Sequence, residues 1–448
     1  MVPTRYTLEM EKNTEYKVNV QLSLECTSLS SGDNVLYYPQ NIFNVYGHLT
    51  VSTLEFQDDI SDHHMHPDQP SHEKMYSRLL NAKKNEAEFT SEYWMNNAKA
   101  FVDEQLKKTP NEKKAKNIIM FLGDGMSHPS ITSARVYMGG EEKKLASGCD
   151  AALVDDIAEQ LIHGDVGSKL KVMFGGGSRN FVDQTMTEHG SNGFRSDNRS
   201  LINEWKAADP ERVYINNKQG LMDLPSDVHQ VLGLFSSSHI SYNLDILRDN
   251  QQSIMPSLTD MTLKAIEILS KNDEGYFLFV EGGRIDHGHH DNFARYAIDE
   301  TAEFSKAIEA AMEKIDLDDT LVVVTADHGH VMTLAGYADR SNDIFGFGGT
   351  GQDNIPYMTL SYANGRGFYN HTHPTGGRVD ANTLDTLAND FRFPATVPVD
   401  SESHGGEDVG IWAAGPWAHL FQGTVEQNVI PHVMAYASCV GYGLKMCD

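Results

Sequence analysis

Tyr276-Phe277-Leu278-Phe279-Val280-Glu281-Gly282-Gly283-Arg284-Ile285-Asp286-His287-Gly288-His289-His290 changes character part-way along. Its opening residues are apolar and β-prone; the rest is largely glycine, carboxylate and imidazole. A short continuous apolar run suits a strand buried on both faces, as in a parallel sheet. Three other runs end in a comparable way. Ile118-Ile119-Met120-Phe121-Leu122 leads into Gly123-Asp124-Gly125, Lys171-Val172-Met173-Phe174 into Gly175-Gly176-Gly177, and Leu321-Val322-Val323-Val324-Thr325-Ala326 into Asp327-His328. Between them, apolar residues recur at helical spacing: Leu258, Met261, Ile266 and Leu269 share one face, and Ala297, Phe304, Ile308 and Met312 another. Strands alternating with helices predict an α/β sandwich with a largely parallel central sheet flanked by helices. Ligands in such folds bind beyond the carboxyl ends of the strands. That is where this sequence places its carboxylates and histidines.

Outward from this frame, residues 1–70 read as a separate N-terminal piece of unknown fold, and residues 71–448 as the main domain. Val18-Asn19-Val20-Gln21-Leu22-Ser23-Leu24 alternates like a strand with one buried face. The polar stretch 58–72, with His63, His64 and His66, reads as a solvated linker, and 73–107 is helix-friendly. Residues 336–398 dissolve into glycine, asparagine and aspartate, the mark of a loop-rich insertion or small subdomain. Regular structure resumes near Gly410-Ile411-Trp412-Ala413-Ala414.

The 448 residues carry 63 acids against 36 lysines and arginines, a net charge of −27. That balance argues against nucleic acid, whose phosphates need clustered cations. An anionic substrate is compatible with it if bound metal cations reverse the local sign. No apolar run is long enough to cross a bilayer, and Met1-Val2-Pro3-Thr4-Arg5-Tyr6 shows no signal-peptide core. Cys439 and Cys447 can close a small loop as a disulfide or stand as free thiols. Asn198-Arg199-Ser200 and Asn370-His371-Thr372 are glycosylation sequons of the kind secreted proteins carry.

The chemistry concentrates at the strand ends. Asp286 and His290 are four residues apart, so on one helix turn they project from the same side and can share a zinc ion. Glu281 offers oxygen to a harder ion such as magnesium. Asp327 and His328 lie past a strand end, where both can turn into one cavity. Asp124 sits in a glycine frame, and His404 in His404-Gly405-Gly406-Glu407-Asp408. Asp124, Asp286, His290, Asp327, His328 and His404 suffice for two zinc sites if a carboxylate bridges. Two ions about 3.5–4 Å apart would clamp the attacking and leaving oxygens of an in-line phosphoryl displacement. Carboxylate mixed with imidazole suggests zinc plus magnesium over iron–sulfur or haem.

The stretches 117–126, 280–290, 324–328 and 404–408 closely resemble the metal motifs of animal-type alkaline phosphatases, as does Gln427-Asn428-Val429-Ile430-Pro431-His432-Val433-Met434-Ala435-Tyr436. The resemblance runs from about His72 to Cys447. It implies that Asp286, His290 and His404 bind a first zinc and that Asp327 and His328 bind a second. It further implies that Asp124 bridges the second zinc and a magnesium that Glu281 also binds. Phosphate monoester substrates, a homodimer, a crown over 336–398, a Cys439–Cys447 disulfide and an extracellular or cell-surface location follow from the same likeness.

Departures from the family are equally specific. No Asp-Ser-Ala occurs, the motif that carries the family's serine nucleophile. After Glu141-Glu142-Lys143-Lys144-Leu145 the chain passes almost directly to Ser147-Gly148-Cys149-Asp150. With that segment go the nucleophile, the phosphate-gripping arginine and a magnesium-ligand region. Neither Ser147 nor Ser127 matches the motif, and Ser127 reads as a helix entry. Met255 and Ser236 stand where the family has two calcium-site acids, which counts against calcium. The residues thus support a metal-dependent phosphatase, with a metal- or partner-binding relative of impaired activity as the alternative. A sulfatase would need Cys-x-Pro-x-Arg, and Cys149 is followed by Asp150-Ala151-Ala152.

Overall fold

The computed structural model describes residues 7–9, 17–19, isolated positions between 90 and 107, and then 109–137, 156–338, 342–441 and 445–447. The chain divides into two compact units, Met1–Asp68 and Gln69–Asp448. In the first, Thr7–Glu9 pairs antiparallel with Lys17–Asn19. The remainder of the strand reading there, the histidines of 58–72, most of 73–107, Ser147 and Cys149 lie outside the described residues.

In the second unit all four apolar runs are strands. β1 (Asn117–Leu122) is followed by α1 (His128–Tyr137) and α2 (Ile157–His163), then by β2 (Val172–Gly175), β3 (Val213–Ile215) and β4 (Val231–Leu234). Next come α3 (Leu258–Leu269), β5 (Phe277–Glu281), α4 (Ile285–His290), α5 (Ala294–Met312) and β6 (Thr320–Thr325). Two short strands, β7 (Gly329–His330) and β8 (His404–Gly405), precede β9 (Trp412–Ala414) and the terminal α6 (Val429–Ser438).

One sheet has the order β9-β6-β1-β5, with β6, β1 and β5 parallel and β9 antiparallel at the edge. A second, β2-β4-β3, is parallel throughout. Register matters most in the first: Leu122 lies opposite Thr325 on one side and Glu281 on the other. Three chain segments therefore leave the sheet at one level, carrying Asp124, Asp327 and Glu281 with them.

Helix α3 joins the two sheets into one body. Ser257 caps its first turn by accepting from Asp260 N, and the Asp260 side chain returns the bond. Its Ala265 and Ile266 pack with Leu278 and Val280 of β5, while Met261 and Ile268 pack with Val231 of β4. Helix α5 lays Ala297, Phe304 and Ala311 on the same core as Ile119, Phe121 and Val322, so the helical spacing read in the sequence marks its buried face. Burial of the strands differs by position. β4 is buried throughout, but β5 alternates, exposing Phe277 and Phe279 while burying Leu278 and Val280. Leu278 and Val280 face the core that α3 and α5 cover, while Phe277 and Phe279 lie on the opposite, open face of the strand.

Residues 332–397 hold more order than their composition suggests. Met332–Leu334, Leu360–Asn364 and Ala395–Val397 make a three-stranded sheet. Phe345, Tyr362, Phe391 and Phe393 form a core there that closes on Ala294 and Ile298 of α5. At the chain end Cys439, in the left-handed conformation that terminates α6, is disulfide-bonded to Cys447.

Phe304 is 1 % exposed and meets Phe121 edge-on with ring centroids 6.0 Å apart. Phe304→Ala should destabilise the second unit by about 3–5 kcal/mol, read as a lower midpoint in urea with an unchanged slope.

Candidate metal centre

Asp124 follows β1 in a turn whose glycines serve close packing. Gly125 has φ 70°, and a Cβ there would lie 2.7 Å from His330 Nε2 and 2.8 Å from the Asp286 Cα. Only glycine lets the Asp124 turn press against the segment that carries Asp286. The Gly125 N–H donates to Asp327 Oδ1 at 3.2 Å, tying the first strand end to the third. Ser127 is fully buried and its Oγ accepts from Ser130 N, which makes it a helix-entry residue as its sequence position suggested.

Asp286 and His290 do lie on one turn of α4, with His290 Nε2 3.3 Å from Asp286 Oδ1. His404 comes from more than a hundred residues further on, and a two-residue ladder delivers it. β7 pairs antiparallel with β8, Gly329 opposite Gly405 and His330 opposite His404. His404 Nε2 then stands 3.3 Å from Asp286 Oδ1 and 3.1 Å from His290 Nε2. An ion bound tetrahedrally at about 2.0–2.1 Å needs its ligand atoms about 3.3 Å apart. The triangle has that size.

Beside it, His328 Nε2 lies 3.5 Å from Asp124 Oδ1, 3.6 Å from Asp327 Oδ2 and 3.8 Å from Asp286 Oδ1. These separations exceed a hydrogen bond, yet Asp124, Asp327 and His328 are near enough together to share an ion. The His328 and His404 rings stack at 3.5 Å, and His328 Nδ1 is buried with no hydrogen-bond partner among the described residues. Glu281 ends β5 and lines the same cleft as Asp124, but it belongs to none of the close ligand groups among the described residues.

Two residues of the centre escaped sequence reasoning. His330 is fully buried; its Nε2–H donates to Asp286 Oδ1 at 2.8 Å, and its Nδ1–H to the Glu402 carboxylate. Glu402, also buried, accepts the Val331 N–H at 2.7 Å through its other oxygen. The Glu402 backbone carbonyl accepts from His290 Nδ1 at 2.5 Å. That bond fixes the His290 tautomer so that Nε2 is the nitrogen facing the triangle. The available signal was His328-Gly329-His330, two imidazoles at strand spacing; nothing local marked Glu402.

Electrostatics bear on whether these residues fit a cation. Burial, then repulsion from Asp327, Asp286 and Glu281, pushes the Asp124 carboxyl up to about 9. Burial also raises Glu281, with Asp327 and Asp286 adding to it. Burial alone would raise Asp286 as well, but hydrogen bonds to His290 and His330 outweigh it and hold that carboxyl far below its ordinary range. His404 is pushed down to about 4 by burial and by the neighbouring imidazoles, so it is neutral and ready to ligate at physiological pH. Crowded carboxylates that must gain protons in isolation, set against neutral imidazoles, form a donor set suited to divalent metal.

Asp124 and His290, the latter raised to about 9 chiefly by its bond to Asp286, both bind protons more tightly folded than unfolded. Their contribution to stability is therefore present at low pH and lost as pH rises through about 9. Chelator-treated protein should lose on the order of 5 °C in Tm between pH 6.5 and 9.5, and zinc-loaded protein should not. Differential scanning calorimetry at both pH values checks this.

Comparison with known proteins adds the family. A family model described as alkaline phosphatase matches residues 115–154 and 146–440. A membrane-bound alkaline phosphatase of Bombyx mori is 44 % identical over 308 residues, covering 67 % of this chain and 55 % of the relative. The tissue-nonspecific isozyme of Homo sapiens is 40 % identical over 316 residues, covering 68 % and 57 %. The chain thus spans little more than half the length of these relatives. Among solved structures, alkaline phosphatase from the Antarctic bacterium TAB5 aligns over 73 % of this chain and 99 % of its own, at 18 % identity and a TM-score of 0.47.

Proposed function

Because the chain belongs to the alkaline phosphatase family, we propose that it is a metal-dependent phosphoric monoester hydrolase using two zinc ions and one magnesium ion. The observation that carries this reading is the 3.1–3.3 Å triangle of Asp286, His290 and His404. These three would hold one zinc, and Asp327 and His328 the second; Asp124 would serve the second zinc together with a magnesium that Glu281 would also ligate. Bound there, such ions supply Lewis acidity to phosphoryl oxygens and neutralise the charge that gathers in phosphoryl transfer. The chain's own groups fix where this happens. His330 and Glu402 orient Asp286 and His290, and the Gly125 amide orients Asp327.

A homodimer at the cell surface or outside the cell, glycosylated at the exposed Asn198 and Asn370, belongs to the same reading. So does the division into an extension over 1–70 and a main domain over 71–448 with a crown-like insertion at 336–398. A second reading, a metal- or partner-binding relative without turnover, is favoured by one observation: the sequence has no Asp-Ser-Ala. Without a serine nucleophile no covalent phosphoenzyme forms there to split the reaction into two displacements.

Hydrolysis of p-nitrophenyl phosphate at alkaline pH, with metal analysis of the same sample, separates the two. The expected result is turnover abolished by chelator, restored by zinc with magnesium, and reduced at least about 100-fold by His404→Ala. Stoichiometric zinc with no turnover selects the second reading, and protein that takes up no zinc sinks both.

A further inference from the structure

A cleft of about 980 Å³ has Asp124 and Glu281 among its lining and reaches the loops that follow β2, β4 and β5. Those loops bring Arg179, His239 and Arg284 to the carboxyl ends of three strands, where open α/β sheets bind ligands. We propose that Arg179, His239 and Arg284 form an oxyanion-binding wall that takes a phosphate-class group, separate from the metal ligands.

The two guanidiniums differ from five others in the chain, although Arg212 likewise bonds only to neutral oxygens and stacks on Trp205. Arg195, Arg199, Arg248, Arg378 and Arg392 each pair with a carboxylate. Among the described residues, no carboxylate lies within ion-pair distance of Arg179 or Arg284, although acids exceed bases by 27. The Nε of each is buried with no hydrogen-bond partner among the described residues. Both are instead held by their faces: Arg179 lies 4.3 Å over the Phe194 ring and Arg284 3.8 Å over Tyr242. Stacking on a face leaves the edge donors of a guanidinium for a planar or tetrahedral oxyanion.

The exposed His239 stands between these charges. Its ring meets that of His287 edge-on at 4.4 Å, and Arg284 Nη1 donates to His287 Nδ1 at 3.1 Å. Partial desolvation of the ring, and after it the positive charges of Arg284 and Arg179, lower the His239 pKa. The acids of the cleft, Asp124, Glu281, Glu300 and Glu303, come from the end of β1, from β5 and from α5. Glu300 accepts the Asn243 N–H at 2.6 Å and forms no salt bridge with Arg284.

The wall is rigid before any ligand arrives. Gly177 N donates to Ser238 O at 2.7 Å, Ser178 N to Ser236 O at 3.1 Å, and Arg179 N to Ser237 O at 3.1 Å. A Cβ on Gly176 would meet Ser238 O at 2.1 Å. The glycine run after β2 therefore clamps the Arg179 loop against the His239 loop, and less ordering remains to be done on binding.

A single cleft lined by metal-ligating acids and by a basic wall fits a phosphate ester carrying a second anionic group, such as a bisphosphate. This last step rests on the proposed phosphatase reading; anion binding by the wall does not. Isothermal titration of chelator-treated protein with inorganic pyrophosphate tests the wall alone. Wild-type protein should show one binding site, weakened at least about tenfold in Arg179→Gln and in His239→Gln, with zinc uptake unchanged in both. Absence of pyrophosphate binding, or equal binding by wild type and Arg179→Gln, overturns the proposal. In turnover, Arg179→Gln should lower kcat/KM about tenfold more for a bisphosphate than for p-nitrophenyl phosphate; equal loss on both refutes the selectivity. No turnover of either substrate removes the phosphatase reading and leaves the titration to judge the wall.

Discussion

Four carboxylates, Asp124, Glu281, Asp286 and Asp327, are held in one basin against their mutual repulsion, and the surrounding architecture serves that constraint. The parallel register of β1 with β5 and β6 sets three strand ends level. The Gly125 turn then brings Asp124 against Asp286 at a distance no side chain would permit. Such crowding is unfavourable without cations. Burial and like charge drive the Asp124 carboxyl to about 9, so the isolated basin must take up protons that a divalent ion would displace. Rigid strands make the repulsion unavoidable; a looser scaffold would relieve it by letting the acids move apart.

The imidazoles divide into two kinds by what stands behind them. His290 and His330 lean on Glu402, one through its carbonyl and one through its carboxylate, and are thereby fixed in direction. His328 and His404 stack on each other at 3.5 Å, and His328 Nδ1 has no hydrogen-bond partner among the described residues. The first pair is positioned by hydrogen bonds, the second by packing. Both arrangements present nitrogen toward the carboxylates. Replacing the Glu402 side chain would therefore release His330 and the Val331 N–H while the backbone carbonyl that holds His290 stays in place.

What the sequence disclosed follows from which interactions are local. The four strands were legible because an apolar run ending in glycine and acid is a local pattern. Asp286 with His290 was legible because four residues make one helical turn. The α5 stripe of Ala297, Phe304, Ile308 and Met312 was legible for the same reason. The alternating exposure of β5 was not, since it depends on which face of the strand other elements cover. Glu402 was not legible either. Its contacts with His330 and Val331 span about seventy residues and are made through an antiparallel bridge two residues long. The order within 332–397 was hidden because its aromatics, Phe345, Tyr362, Phe391 and Phe393, are too widely spaced to show a period.

Charge bears on how an acidic chain can keep a cleft open to an anion. The chain carries a net charge of −27, whereas Arg179 and Arg284 stand in the cleft without a carboxylate partner among the described residues and stack on aromatic rings. Leaving them without carboxylate partners forgoes local ion pairing that this sequence could readily supply from its surplus of acids. A guanidinium neutralised by an aspartate would be of little use to an incoming anion, because the anion would have to displace that partner. An unpaired one held by its aromatic face keeps its donors available. Asp124 and Glu281, raised by burial and by neighbouring carboxylates, show the same logic with the sign reversed: crowded acids, held rigidly, are ready for a ligand that brings the opposite charge. Binding capacity at both ends of the cleft thus rests on interactions that the folded chain leaves unmade.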